Sequence, residues 1–404
     1  MPSLSATASL SSRPGLTPDE PLGSRARSAC RSILGRLGPE DRDVLWLYLA
    51  SRVSVWIVAY CARWVFPRDP ETKNAAAILQ PFQQWDWHHY LRIAREGYFP
   101  GAEVDDNRVA FFPGFPLVLR AVHVVVPDWT VAGLAISFVG GAIAVVALAR
   151  IARRYLEEAG AGRRTVVLLL ASPCAVFLAV GYTEALFLAL ALPAWLAAQR
   201  HAWVTASVLI ALASAVRISG LFLAAALVVH HLCSGRAHNW RVLLWMTLPA
   251  LPVALYFWYL YANTGDLMAW QHAQERGWHR SFHLPWEAWS QTWDAAFDGI
   301  YPAPYAFMFL AELVGMVMGL LLLAVLVRRR SWPEATYMAL GLWALGTSYW
   351  YMSVPRASLA WWPLWIGLAA LTLRRPRLLA LYGCLVCPLS VVFALAFFTG
   401  HWAG

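Results

Sequence analysis

From Trp129 to Ala149 no residue is charged, and the same is true from Leu378 to Thr399. Apolar runs of this kind recur along the chain, and about 18 apolar residues are what a helix needs to cross a bilayer. Hydrocarbon offers no partner to a backbone N–H or C=O, and a helix satisfies both within one segment. The recurring runs therefore commit the chain to an all-α polytopic membrane protein. A β-barrel would show short segments of alternating polarity instead. Composition agrees. Of 404 residues, 59% are hydrophobic and 14% charged, against roughly 45–50% and about 25% in soluble domains.

Basic residues divide the runs. All but Lys73 are arginine, and they cluster in short segments between apolar stretches. Under the positive-inside rule such clusters mark cytoplasmic turns. The net charge of +9 is then topology information, and no nucleic-acid partner is expected. Arg25, Arg27, Arg31, Arg36 and Arg42 precede the first apolar run, which starts near Val44. The N-terminus is accordingly expected in the cytoplasm, with residues 1–43 a disordered tail rich in Ser, Pro, Gly and Arg. The first run begins too late for a signal peptide.

Alternating the remaining runs (44–404) with their arginine turns gives about eleven transmembrane helices. Two long segments fall on the outer side, 67–127 and 263–303. At 202–233, two short apolar runs flank Val216-Arg217-Ile218-Ser219-Gly220. A hairpin with Arg217 at its outer tip keeps the guanidinium from mid-membrane, where it costs at least about 2.5–3.5 kcal/mol. Cys384 and Cys387 have redox or zinc spacing, but no second pair or histidine lies near them in the sequence, and packing is the expected role.

The most polar cluster of the first outer segment is Trp85-Asp86-Trp87-His88-His89-Tyr90. Trp87, Leu91, Ala94 and Tyr98 recur at helical spacing, with His88, Arg92 and Arg95 on another face, which predicts an amphipathic surface helix. Ala110–Val126 is apolar but broken by Pro113, Gly114 and Pro116, and is expected to pack on protein instead of crossing. With this topology Asp86, His88, His89, Glu184, Arg217 and Arg356 share the outer side. Asp86 suits either an N-cap or a proton acceptor for an attacking hydroxyl. Arg217 and Arg356 suit either phosphate oxygens, which a guanidinium fork matches, or an ion pair with Glu184 that ties helices together. His88 and His89 suit phosphate or hydroxyl contact, or packing on the helix surface. Adjacent histidines do not easily share a metal, and none is expected. Trp87, Trp270, Trp278, Trp286, Trp289 and Trp293 are candidates for stacking on a sugar ring, although tryptophan is also enriched at bilayer boundaries.

Four stretches resemble one family. They are Gln84-Trp85-Asp86-Trp87-His88-His89-Tyr90 with Ala110-Phe111-Phe112-Pro113-Gly114-Phe115-Pro116-Leu117; Gly181-Tyr182-Thr183-Glu184-Ala185-Leu186-Phe187 with Ser172-Pro173 before it; Arg217-Ile218-Ser219-Gly220; and Tyr261 through Gly265-Asp266 to Trp278, with Pro355-Arg356 later. The family is glycosylphosphatidylinositol mannosyltransferase 2 (phosphatidylinositol glycan class V) and its bacterial relatives, within the GT-C superfamily, and the resemblance spans roughly 44–365. Trp87 and His88 depart from the small and acidic residues frequent at those positions, as Leu267-Met268 does from Pro-Leu.

The resemblance implies a GT-C-type fold and an inverting mannosyltransferase. It implies a polyprenyl-phosphate-mannose donor and does not fix the acceptor, for which a glycolipid or glycan is expected; the arginine topology puts the action on the extracytoplasmic (or lumenal) side of the cell membrane, and no cofactor is expected. The resemblance implies Asp86 as the catalytic base. On that reading Arg217, Arg356, His88 and His89 contact the donor phosphate, and Glu184, Tyr182, Trp85 and Tyr90 orient groups or bind acceptor. The rival reading is a transporter or flippase for a lipid-linked or anionic solute. That would favour mid-span charges and inverted repeats, whereas here the charges gather in outer loops and no internal repeat is visible.

Overall fold

The computed structural model describes residues 37–66, 78–101, 107–234 and 239–404. Most of the expected N-terminal tail lies outside them, as do parts of the first long loop. Within the described residues all regular structure is helical. Five helical stretches are long and apolar enough to cross a membrane. They are α1 (Pro39–Val65), α4 (Trp129–Tyr155), the pair α9 (Trp240–Trp245) and α10 (Ala250–Thr264), α13 (Ala303–Arg328) and α17 (Pro376–Phe398). Three shorter apolar helices, α6 (Thr183–Gln199), α7 (Trp203–Val216) and α8 (Ser219–Cys233), pack among them.

Several runs expected to cross are broken. After α5 (Ala161–Leu170) the chain turns at Ser172-Pro173 into a 3₁₀ segment, Pro173–Leu178. Proline lacks an N–H and pushes the preceding residue out of helical geometry, so α5 stops there. Likewise α14 (Trp332–Gly346) ends short, and the next run is divided between a single turn, α15 (Val354–Ala357), and α16 (Trp362–Arg374). Broken helices at membrane depth are tolerated where protein or a water-filled cavity lines them. The sequence pattern located the apolar runs; it did not show which of them were interrupted.

Charge sits at two ends of the bundle. Near the start of α4, Thr130 receives a hydrogen bond from Gln83 (2.7 Å). Near its end, Arg150 donates to Asp41 (2.7 Å), and Arg153 donates to Asp41 (2.9 Å) and Glu40 (2.8 Å). At 1.5 Å per residue, Thr130 and Arg150 lie roughly 30 Å apart along the axis, about the thickness of a bilayer core. Asp41 is buried in the first turn of α1, so Pro39–Asp43 is helix and not tail. Helix α6 makes the same traverse, with Glu184 in its first turn and Gln199 at its other end bonded to Arg154 and Tyr155.

The described part of segment 67–127 folds back onto this scaffold. Helix α2 (Asp86–Glu96) buries Trp87, Tyr90, Ile93 and Ala94, close to the amphipathic face expected. Helix α3 (Gly114–His123) is too short to cross and packs on protein through Phe115 and Leu119. Its Arg120 donates to the last carbonyls of α2, at Ala94 (2.5 Å) and Arg95 (3.2 Å), groups a helix C-terminus leaves unpaired. Trp87 is 1% exposed and fills a slot that two glycines create. A Cβ on Gly133 would lie 2.5 Å from its ring, and one on Gly181 2.7 Å. That burial removes Trp87 from the candidates for sugar stacking.

The slot gives a direct test. Gly133→Ala should lower the stability of the detergent-solubilised protein by about 1–3 kcal/mol, the usual cost of overpacking. Shrinking the ring in the Gly133→Ala, Trp87→Leu double variant should recover part of the loss in thermal midpoint. Purely additive losses would show that the two positions do not meet.

Candidate active site

Asp86 is the first residue of α2, and the residue before it, Trp85, takes the N-cap position. Trp85 has φ +48°, a region costly for a bulky side chain, on the order of 1–3 kcal/mol. Two contacts hold the turn: the Trp85 indole N–H donates to the His401 carbonyl (3.2 Å), and the Tyr182 hydroxyl donates to the Gln84 carbonyl (2.7 Å). Among the described residues no backbone N–H donates to the Asp86 side chain. Its Oδ2 instead accepts from Arg356 (2.8 Å). Among the described residues no hydrogen bond reaches Oδ1.

Arg356 also donates through Nε to Glu184 Oε1 (2.6 Å). Its guanidinium lies over the rings of Phe177 (4.7 Å) and Tyr182 (4.9 Å). The same Glu184 oxygen pairs with Arg217, which also donates to the Thr183 hydroxyl (3.1 Å). Carboxylates and guanidiniums thus alternate in the order Asp86, Arg356, Glu184, Arg217. Four segments distant in sequence supply them.

Local structure explains how each arrives. Helix α7 ends at Val216, and Arg217 is extended (φ −150°, ψ 143°) before α8 begins at Ser219. The expected hairpin with Arg217 at its tip is present. A Cβ on Gly220 would meet the Ser214 backbone at 2.5 Å, so only glycine lets the two helices approach this closely. Arg356 is placed by Glu312 of α13. The backbone N–H groups of Ser353 (2.8 Å) and Val354 (2.7 Å) donate to the two Glu312 oxygens. Those bonds hold the left-handed turn at Ser353 (φ +66°) that opens α15.

A cavity of about 1220 Å³ opens onto this network, lined by Trp85, Asp86, Tyr90, Tyr182, Arg217 and Arg356 among others. Glu184 is buried beneath it. Segment 263–303 closes one side. Its helices are α11 (Ala269–Trp278) and α12 (Pro285–Phe297). Trp270 (3.1 Å) and Gln274 (2.9 Å) donate to the Ala110 carbonyl, which fastens α11 over the first loop. Trp270 and Trp278 line the cavity, whereas Trp286 and Trp293 are exposed. Arg280, just past α11, lines it as well. Burial, and then the Arg217 and Arg356 charges, push Arg280 below the ordinary arginine value, partly opposed by Asp86 and Glu312.

A second cavity, about 620 Å³, shares Trp85, Asp86, Gly277 and Trp278 with the first. His88 and His89 line this one, with Gln84, Arg92 and Asn107. The His89 ring stacks on Phe111 (4.7 Å). The structure therefore gathers Asp86, Arg217, Arg356, Tyr182, Tyr90 and Trp85 around one space and sets the two histidines on another. Among the described residues no group of three or more His, Cys, Asp or Glu could hold a metal ion. Sequence reasoning passed over Glu312 and Arg280. A lone carboxylate within an apolar run was a signal for Glu312; Arg280 carried none.

With this geometry in view, comparison with known proteins is informative. Residues 71–243 match the mannosyltransferase (PIG-V) family. That region holds Asp86, Glu184 and Arg217, while Arg280, Glu312 and Arg356 lie beyond it. GPI alpha-1,6-mannosyltransferase 2 of Mus musculus is 26% identical over 234 residues, 52% of this chain and 46% of the relative. The Homo sapiens protein of that name is 31% identical over 168 residues, 39% of this chain and 33% of the relative. The rat protein is 26% identical over 268 residues, 57% and 53% of the two chains. The chain thus spans about half the length of these relatives, or less. Among solved structures, ArnT from Cupriavidus metallidurans bound to undecaprenyl phosphate aligns with a TM-score of 0.48 and 16% identity, over 87% of this chain and 63% of that one.

The charge chain makes a stability prediction. Glu184→Gln keeps the shape but removes the shared counter-charge of two arginines. Breaking a buried pair from one side typically costs about 3–5 kcal/mol, so a clear drop in thermal midpoint is expected. Glu158→Gln, whose partner Arg374 is exposed, should leave the midpoint near wild type. Equal midpoints for both variants would contradict a structural role for Glu184.

Proposed function

We propose that the chain transfers mannose, with inversion, from a polyprenyl-phosphate-mannose donor to a hydroxyl of a glycolipid or glycan. The observation that carries this reading is the single cavity bordered by the Asp86 carboxylate and the Arg217 and Arg356 guanidiniums. The PIG-V family match over the region containing Asp86 supports the sugar and the reaction class.

The chemistry balances without a cofactor. Asp86 Oδ1 takes the acceptor hydroxyl proton as the acceptor oxygen bonds to the mannose anomeric carbon. The bond from that carbon to the phosphate oxygen breaks, and its electrons leave with the phosphate. Cationic donors stabilise the charge that develops there. A phosphate neutralised in this way needs no protonation to depart. Arg356 fixes the orientation of the base through Oδ2. Tyr90 and Tyr182 wall the space beside it, with Trp85 at the shared edge of both cavities. The acceptor hydroxyl enters from the smaller cavity, along His88 and His89.

On this reading the active site faces the extracytoplasmic side. Arg150, Arg153 and Arg374 bind carboxylates at the opposite end of the bundle, and arginine-rich ends face the cytoplasm. The N-terminus then lies in the cytoplasm too.

The test is a membrane assay with radiolabelled polyprenyl-phosphate-mannose and a panel of glycolipid and glycan acceptors. General bases contribute roughly 10²- to 10⁴-fold in rate, so Asp86→Asn should lose at least about 100-fold in turnover at equal expression. Asn keeps the volume but not the basicity. Transfer by Asp86→Asn at the wild-type rate would reject the assignment.

A further inference from the structure

We propose that Arg280, in the second outer loop, is the principal ligand of the donor phosphate, with Arg217 beside it, and that Arg356 positions Asp86 instead. This rests on the proposed glycosyl transfer and concerns which residue handles the leaving group.

The argument is one of prior commitments. Arg356 is held by Asp86 through one nitrogen and by Glu184 through another, and is largely buried. Turning it toward a ligand would strip Asp86 of its cationic partner and leave Glu184 with Arg217 alone, a costly loss for buried charges. Arg217 is committed to Glu184 on one side but is about a third exposed. Arg280 lines the same cavity, and no ion pair joins it to a described carboxylate. It is therefore the guanidinium whose planar fork is open to an anion, and forks of this kind bind phosphate oxygens in two-point geometry.

The backbone under Arg280 is fixed. His279 takes a left-handed conformation (φ +52°) at the end of α11. The Arg280 carbonyl accepts from the Gln271 amide (2.7 Å), and its N–H donates to the Gln274 carbonyl (3.3 Å). A pinned backbone aims the side chain and reduces the ordering cost on binding. Three guanidiniums around one space also repel one another, and a bound anion relieves that repulsion. The anion is a lipid-borne phosphate, because Tyr301, Tyr305, Phe309 and Trp350 make an apolar wall in the same cavity. Such a wall suits a prenyl chain and has no use for a soluble phosphate.

The experiment measures binding to purified, full-length protein in detergent, with tryptophan fluorescence as readout. The probes are farnesyl phosphate, farnesol and mannose 1-phosphate. Wild type is expected to bind farnesyl phosphate more tightly than either other probe. Arg280→Gln is expected to bind farnesyl phosphate about 10- to 100-fold more weakly, the worth of a charge-assisted fork, with farnesol unchanged. Arg280→Lys should recover part of the loss, and unchanged farnesol binding shows that the cavity is intact. An equal loss for farnesol, or no loss for farnesyl phosphate, overturns the assignment. Mannose 1-phosphate binding as tight as farnesyl phosphate overturns the lipid source. Failure of wild type itself to prefer farnesyl phosphate over farnesol sinks the donor class along with Arg280, so the two failures are told apart by which protein shows them.

Discussion

The two hydrogen bonds of the Arg356 guanidinium are what the rest of the structure serves. One goes to Asp86 and the other to Glu184. The ion-paired side chains are 4% exposed at Glu184, 10% at Arg356, 18% at Asp86 and 31% at Arg217. Solvent access therefore grows away from Glu184 in both directions along the chain of charges. Desolvating any one of these groups alone is expensive, and it becomes tolerable only when each sits against its opposite. Alternation sets each buried charge against its opposite and leaves the outer members capacity to spare, while Glu184 Oε2 is buried with no hydrogen-bond partner among the described residues. Asp86 keeps an oxygen, and Arg217 keeps donors, without a hydrogen-bond partner among the described residues. The inner pair is rigid because it is buried, and the outer groups are usable because they are not.

Much of the scaffold exists to deliver those groups to one point. Trp87 and Asp86 are adjacent in α2, so the tight slot at Gly133 and Gly181 fixes the carboxylate by fixing its neighbour. Gly181 also leads into Tyr182-Thr183-Glu184, which couples the slot to the second carboxylate. Trp85 stores strain at the start of the same helix, held by its own indole bond to the His401 carbonyl and by the Tyr182 hydroxyl's bond to the neighbouring Gln84 carbonyl. Strained residues persist only where the surroundings over-determine them. Glu312 spends both oxygens on the turn that carries Arg356, contributing to the site without touching its cavity-facing groups.

How much of this was legible depended on the range of the signal. Apolar runs and arginine turns are local patterns, and they gave the all-helical architecture and the Arg217 hairpin correctly. The motif around Asp86 and the face of α2 were legible for the same reason. The role of Trp87 was not, because a tryptophan beside a candidate catalytic aspartate reads as a substrate contact until two distant glycines are seen to enclose it. Asp86 as an N-cap was a sound local reading that a long-range ion pair superseded. The broken runs near Pro173 and Val354 escaped because hydropathy measures apolarity and not continuity. Arg280 escaped altogether: among many arginines, only its position across the cavity from Arg217 and Arg356 distinguishes it.

The placement of the carboxylates has a further electrostatic logic. Asp86 stands in the first turn of α2 and Glu184 in the first turn of α6. Both helices therefore direct their partly positive N-terminal ends at the site, which favours negative charge there. Helix α8 begins two residues after Arg217, adding a third N-terminus close by. These helix N-termini share the task of holding the carboxylates with the arginines. The same helix ends favour negative charge elsewhere in the cavity too, so the backbone as well as the side chains sets the potential there.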